Sequence, residues 1–188
     1  MIFNTTYAKS IEKHYEKGWG IAGRKINFSD GPIKDLPRHF SILEFEPHEG
    51  RDMWTYATCC MSQPGDEQPI ELHIFSPEKS GTPVEILVAV AHYHRTREAL
   101  RDGHSVNFGK PWFKDSRCEY GVVSLPYLDG PALEKCEMNS EKTVRFLWLI
   151  PITKEERDYK KDRGLSALED KFEEKNFNYL DPNRNSVC

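Results

Sequence analysis

The clearest periodic pattern of apolar and polar positions lies in residues 82–96, where apolar residues recur every three or four positions. This spacing places them on one face of an α-helix. Thr82 suits the N-cap, Pro83 suits the first helical position, and Glu85 is spaced to close a capping box with Thr82. The pattern therefore predicts an amphipathic helix that begins at Thr82 or Pro83. The face expected to enter the core includes Leu87, Val90 and His94.

Three runs before this helix have the composition of β-strands, namely residues 40–46, 53–61 and 70–75. Apolar residues occupy alternate positions in the third run. Residues 47–50, which begin with proline and end with glycine, are expected to form a turn between the first two runs. Together the three runs predict an antiparallel meander.

Three further strands are predicted after the helix, in residues 105–108, 120–125 and 144–150. The last run is almost continuously apolar, which is typical of a strand buried on both faces, so we expect it to be central in the sheet. Strands and helices do not alternate strictly along the chain. The predicted fold class is therefore α+β, a single domain with a mixed, largely antiparallel sheet flanked by helices.

Helices are also predicted towards both ends of the chain. Thr5 or Thr6 is placed to cap a first helix that ends near Gly18. Near the C-terminus, two segments have the spacing of capping boxes, one starting at Thr153 and one at Ser166, with a glycine between them. These signals predict a pair of C-terminal helices.

The length and order of these segments suggest one domain, because 188 residues suffice for a single sizeable core. We expect an N-terminal helix and loop over residues 1–34 that pack on the domain. The domain itself is expected to span residues 35–182, and residues 183–188 are expected to form a tail.

The charge balance argues against nucleic acid and membranes as partners. The formal net charge is −4 and the pI is about 6.0, whereas proteins that bind nucleic acid or anionic membranes usually carry basic patches. The first residues lack the basic start and apolar core of a signal peptide, and no apolar run approaches the roughly 20 residues of a membrane span. We therefore expect a cytoplasmic protein.

The cysteines and histidines give weak support to catalytic chemistry. Five cysteines with no C-x-x-C pair indicate reduced thiols. Cys59 or Cys60 activated by His73 would supply a nucleophile, but free cysteines in strands are most often buried apolar residues. A zinc site lacks support because its candidate ligands have no ligand-like spacing. These candidates are His73, His92, His104 and Cys118. We therefore predict no catalytic residue, no metal and no cofactor.

Six blocks of sequence, taken in order, resemble a known family. They are WTYATC (54–59), ELHI (71–74), AHYHRT (91–96), GHSVNFG (103–109), GVVSLPY (121–127) and FLWLIPIT (146–153). The ordered set resembles the suppressor-of-fused domain, particularly its short bacterial members, and the resemblance covers residues 35–182. As a set, the blocks are far more specific than any single one of them.

The resemblance implies a mixed α+β domain without established catalysis. In animals this domain is the N-terminal half of a cytosolic protein that sequesters transcription factors in Hedgehog signalling. The bacterial members are similar to immunity proteins encoded beside secreted toxins. We expect no second domain of comparable size in this chain, which favours the immunity role over the clamping of a transcription factor.

The hypothesis that ranks first is therefore a non-enzymatic bacterial immunity protein, which neutralises a co-encoded toxin by stoichiometric binding. A cytosolic regulator that sequesters an endogenous protein, such as a transcription factor, is one alternative. A metal- or thiol-dependent enzyme is the other. The expected partner is a protein, and a basic toxin such as a nuclease suits an acidic binder, because complementary charge speeds encounter.

Four residues are candidates for contact with that partner. Asp129 lies in the segment LDGP, where a tight turn is expected to project the carboxylate outward from the end of a strand. Tyr127 is an aromatic residue at the same strand end, and Glu71 is an acid near the end of another strand. His92 lies towards the polar side of the predicted helix. The resemblance supplies no binding residue for this chain.

Overall fold

The computed structural model describes residues 2–26, 31–139 and 141–188, which form five helices and eight strands. The helices are α1 (Ile2–Trp19), α2 (Thr82–Thr96), α3 (Pro131–Glu134), α4 (Lys154–Arg163) and α5 (Leu165–Glu174). The strands are β1 (Arg24–Ile26), β2 (Ser41–Phe45), β3 (Trp54–Cys59), β4 (Ile70–Ser76), β5 (Ser105–Asn107), β6 (Tyr120–Ser124), β7 (Lys135–Asn139) and β8 (Lys142–Ile152). All six predicted strands are therefore present.

The strands form one mixed sheet in the order β1-β2-β3-β4-β8-β6-β5, and β7 pairs with the start of β8. Strands β2, β3 and β4 form the predicted antiparallel meander. The pair β4 and β8 is parallel, while the other pairs among the described residues are antiparallel. The predicted α+β fold class is confirmed, and so is the central position of β8, which pairs with β4, β6 and β7.

Alternate residues of each strand point to opposite faces of the sheet. Apolar residues are present on both faces, and helices cover both. In β8, Leu147 and Leu149 pack in a core with the buried face of α2. Phe146 packs on the other face with α1, and Trp148 and Ile150 pack there with α5 and the C-terminal segment. The surface described below lies on this second face.

Helix α2 begins at Thr82, as predicted, but the expected capping box is wrong. Gly81 occupies the N-cap position without a side-chain hydrogen bond, and Thr82 is already helical. Glu85 instead forms an exposed ion pair with Lys110. The predicted buried face is confirmed, because Leu87 and His94 are among the buried residues of the helix.

One of the two C-terminal capping boxes is confirmed. The Thr153 side chain accepts from the Glu156 amide, and the Glu156 carboxylate accepts from the Thr153 amide. The box predicted at Ser166 is wrong, because α5 begins at Leu165. Gly164 has a φ of 92°, ends α4 and serves as the N-cap of α5. A positive φ costs glycine little, so a single residue separates the two helices.

The N-terminal prediction is right about the helix and wrong about its start. Helix α1 begins at Ile2, several residues before the expected cap at Thr5 or Thr6. It ends at Trp19, one residue beyond the predicted Gly18. Strands β1 and β7 carry no signal strong enough to predict them, because β1 has only three residues and β7 is largely polar.

The C-terminal residues pack on the domain. Arg184 is 8% exposed and donates to both carboxylate oxygens of Glu156, and Val187 is 9% exposed. The Val187 amide also donates to Glu156. The segment predicted as a tail is therefore tied to the cap of α4, while the domain boundaries at residues 34, 35 and 182 stay a prediction.

Candidate protein-binding surface

A tight turn after β6 presents two exposed apolar side chains. Tyr127 is 55% exposed and Leu128 is 48% exposed. The amides of Asp129 and Gly130 both donate to the carbonyl of Pro126 at 2.9 Å. Gly130 has a φ of 74°, which ordinary side chains disfavour. The sequence folds here into a closed turn with Tyr127 and Leu128 at its tip.

Asp129 anchors this turn from the inside, so the expectation that its carboxylate projects outward is wrong. The Asp129 side chain is 3% exposed and forms an ion pair with Arg51, whose side chain is 15% exposed. The indole Nε1 of Trp19 donates to the same carboxylate oxygen at 2.9 Å. The tight turn itself is as predicted, but two donors from distant parts of the chain draw its acid into the protein.

The buried end of Arg51 lies among aromatic rings. Its guanidinium carbon is 5.0 Å from the ring centroid of Trp19 and 5.3 Å from that of Phe75, distances at which cations are attracted to π-systems. The Nε2 atom of His73 is 3.7 Å from Asp129. Burial lowers the pKa of His73 to about 4, so this histidine is neutral at pH 7. Arg51 and Asp129 therefore form the charged pair of this cluster.

An open groove of about 720 Å³ lies beside the Tyr127 and Leu128 tip. Its floor is aromatic and aliphatic, and α5 forms one wall. Floor residues include Trp148, Ile150, Phe172, Phe177 and Tyr179. The rings of Phe172 and Phe177 stack with centroids 4.1 Å apart, and Tyr179 packs edge-on against Trp148 at 5.4 Å. Ring contacts of this kind hold the floor in a fixed shape.

The wall that α5 supplies is acidic. Glu169, Asp170 and Glu173 line the groove, and none of the lining residues is a lysine, arginine or histidine. Glu169 accepts a hydrogen bond from Ser124 at 2.6 Å. Tyr127 lines the groove together with α5, and partial burial and the Glu169 carboxylate raise the pKa of its phenol. An apolar floor thus meets an anionic wall.

Glu71 lies away from this surface, and the expectation that it is exposed is wrong. It is 0% exposed and accepts four hydrogen bonds from the connection between β3 and β4 and from Thr58. Burial raises its pKa to about 7, although those hydrogen bonds oppose the rise. Glu71 therefore holds the β3 to β4 connection together.

His92 lies on α2, which covers the opposite face of the sheet from the groove. Its ring is 28% exposed, and its Nε2 lies 3.3 Å from Asp35. Of the four predicted contact residues, the structure thus brings together only Tyr127 and Asp129. Tyr127 is at the tip of the turn, and Asp129 sets the position of that turn.

The residues considered for catalysis are dispersed. Cys59 and Cys60 share the core under α1, with their sulfur atoms 4.0 Å apart, because Cys60 follows β3 with a φ of 66°. They do not occupy opposite faces as a continuing strand would require. Cys60 and burial raise the pKa of Cys59, which keeps it a thiol. Within the described residues, no three His, Cys, Asp or Glu side chains are grouped as metal ligands, and no helix is long and apolar enough to cross a membrane.

The groove was not predicted from the sequence. Trp148 lies in a run that is apolar throughout, and Phe177 and Tyr179 lie in a segment without periodicity. One signal in the sequence was the composition of α5, which combines apolar residues at helical spacing with four acids and a single lysine. That pattern indicates a helix with one buried face and one anionic face.

Comparisons with known proteins agree with this fold. A family model described as "Suppressor of fused protein (SUFU)" matches residues 37–185. A SUFU homologue from Neisseria gonorrhoeae is 30% identical, with a TM-score of 0.83 and 97% of each chain covered. Drosophila Suppressor of Fused is 15% identical, with a TM-score of 0.70, and the match covers 96% of this chain and 51% of that one.

The structure of a Sufu–Fu complex contains a chain with the same fold. It is 16% identical to this chain, with a TM-score of 0.70, and the match covers 96% of this chain and 92% of that one. The comparison with curated proteins found no match.

Proposed function

We propose that this chain, which belongs to the suppressor-of-fused family, is a non-enzymatic immunity protein that neutralises a toxin encoded beside it by binding the toxin one to one. The observation that carries the proposal is the turn at Tyr127 and Leu128. It presents two large apolar side chains on a backbone that Asp129 fixes in place. Pre-ordered apolar residues are good interface anchors, because little conformational entropy is lost when they bind.

One comparison supports a protein as the partner, and a second supports the family. The bacterial homologue matches this chain over 97% of both lengths, so the two chains share one fold. In the Sufu–Fu complex, a domain of the same fold is in a complex with another protein. An immunity protein needs such a binding surface and requires no turnover.

The Sufu–Fu complex also favours a second candidate, a regulator that sequesters an endogenous protein. The two candidates use the same kind of contact and differ in the identity of the partner. An immunity protein protects the cell from a toxic neighbour, whereas a regulator has a partner that is harmless alone.

Co-expression with neighbouring genes tests the proposal. Each adjacent reading frame is expressed alone and together with this chain, and growth and complex formation are measured. We expect one neighbour to arrest growth when expressed alone and to be harmless in a complex with this chain. If no neighbour is toxic and none binds, the immunity proposal fails and the sequestering regulator takes its place.

A further inference from the structure

We infer that the groove between α5 and the Tyr127 turn receives a basic, partly apolar segment of a partner protein. In that segment, an apolar side chain lies on the Trp148 floor and an adjacent lysine or arginine contacts the α5 wall. This inference rests on the proposed function only in taking the partner to be a protein. It adds the place of binding and the chemistry of the bound segment.

The floor of the groove supplies the apolar part of the proposed binding surface. Trp148 lines the groove and is 3% exposed. Its indole Nε1 is itself buried, without an acceptor among the described residues, so the ring offers a bound segment apolar surface. An apolar side chain of a peptide gains by leaving water when it packs there. The floor therefore suits a peptide segment with an apolar anchor.

The α5 wall supplies the charged part of the proposed binding surface. Lys171 is the basic residue of this helix, and it is already paired with Glu174. Glu169, Asp170 and Glu173 have no ion-pair partner among the described residues. Three carboxylates beside an apolar surface attract a cation and repel phosphate groups. The wall therefore selects a basic protein segment over nucleic acid or an anionic membrane.

The rim of the groove adds exposed apolar surface to the binding site. Tyr127 and Leu128 line the groove while about half of each side chain is open to solvent. A segment on the floor covers these two side chains as well, which removes more apolar surface from water. Leu128 is therefore the clearest position at which to weaken binding without disturbing the core.

A random library of short linear peptides displayed on phage, panned against the full chain, tests the inference. We expect the selected peptides to carry lysine or arginine next to a leucine or an aromatic residue. The double variant Asp170→Lys with Glu173→Lys should weaken their binding at least about tenfold, and so should Leu128→Ser. Glu67→Lys with Glu137→Lys changes the net charge equally at exposed positions outside the groove, and it should alter binding by less than about twofold.

A second measurement reports the place of binding without any variant. The indole N–H resonances of Trp148 and Trp112 are followed by NMR while a selected peptide is added. Trp112 is also buried, and its Nε1 has no partner in the part of the chain that the structure describes, but it lies in the core under α2. We expect the Trp148 resonance to shift and the Trp112 resonance to stay.

Three results would each overturn the inference: no enriched peptide, peptides without basic residues, or peptides that bind the Asp170 and Glu173 double variant as well as the parent. Failure of the proposed function looks different. If groove peptides bind but no neighbouring protein does, the groove stands and the immunity role falls. If a toxin binds equally to all groove variants, the immunity role stands and the groove falls.

Discussion

Arg51 and Asp129 form a buried ion pair between the segment before β3 and the turn after β6, positions 78 residues apart in the sequence. This ion pair contributes to the stability of the protein. It also anchors the turn that exposes Tyr127 and Leu128 at its tip. We therefore expect Asp129 to position the turn rather than to contact the partner.

Asp129→Ala should destabilise the protein by roughly 3 to 5 kcal/mol, because it leaves the Arg51 guanidinium buried without a counter-charge. Denaturant unfolding measures this cost, and hydrogen exchange of the Tyr127 amide should become faster in the variant. The neighbouring exposed acid supplies the control, since Asp52→Ala should change stability by less than about 0.5 kcal/mol. Equal costs for the two variants would show that the ion pair does not hold the turn.

Glu71 gives a pH-dependent prediction. Its pKa of about 7 in the folded state lies above the ordinary value of 4.5, so between these values the folded protein holds a proton that the unfolded chain has released. The contribution of Glu71 to the free energy of unfolding is fully present below pH 4.5, and it is lost as the pH rises to about 7. The loss amounts to roughly 3 kcal/mol over the window.

His73 and His94 act in the opposite direction, because burial lowers both pKa values from 6.5 to about 4. Their contribution is present above pH 6.5 and is lost as the pH falls to about 4. The Glu71 effect is therefore isolated as the difference between the parent and Glu71→Gln, which cannot ionise at this position. We expect the advantage of the parent over this variant to shrink as the pH rises from 4.5 to 7. A constant difference would contradict the assignment.

The C-terminal segment gives a third prediction. Arg184→Met leaves the fully buried Glu156 without its counter-charge, and should cost roughly 3 to 5 kcal/mol. The exposed pair of Lys154 and Asp158 lies on the same helix as Glu156 and provides the comparison. Lys154→Ala should cost no more than about 0.5 kcal/mol. Thermal unfolding measures both costs, and Arg184→Met should have the lower melting temperature. Similar melting temperatures for the two variants would show that residues 183–188 do not stabilise the domain.

Local signals were sufficient to predict most of the fold. The spacing of apolar residues in 82–96 placed α2, and the uninterrupted apolar run of β8 placed that strand in the centre of the sheet. Capping was less predictable. The residues at 153 and 156 formed the expected box, whereas at Ser166 the conformation of Gly164 moved the helix start, and sequence spacing does not report backbone φ.

The binding surface was less accessible to sequence reasoning because it depends on contacts between distant segments. A tight turn was predicted at Asp129, but whether an acid in a turn points outward depends on its neighbours in space, here Arg51 and Trp19. Glu71 shows the same effect, since alternation in β4 assigned it to the second face of the sheet without indicating that α1 and the β3 to β4 connection bury that face. Tyr127 was proposed as a contact residue from its position at a strand end alone, and its exposure is a finding of the structure.

The measurement that tests the central claim most directly is a titration of the purified cognate toxin with this chain, with the toxin's activity as the readout. Stoichiometric binding predicts that inhibition is complete at a one-to-one ratio, and that Tyr127→Ala weakens it more than Tyr93→Ala, since Tyr93 is 38% exposed but lies on α2. Inhibition that continues to completion at a small fraction of that ratio would indicate turnover. That result, or inhibition lost with Tyr93→Ala and kept with Tyr127→Ala, would contradict the account.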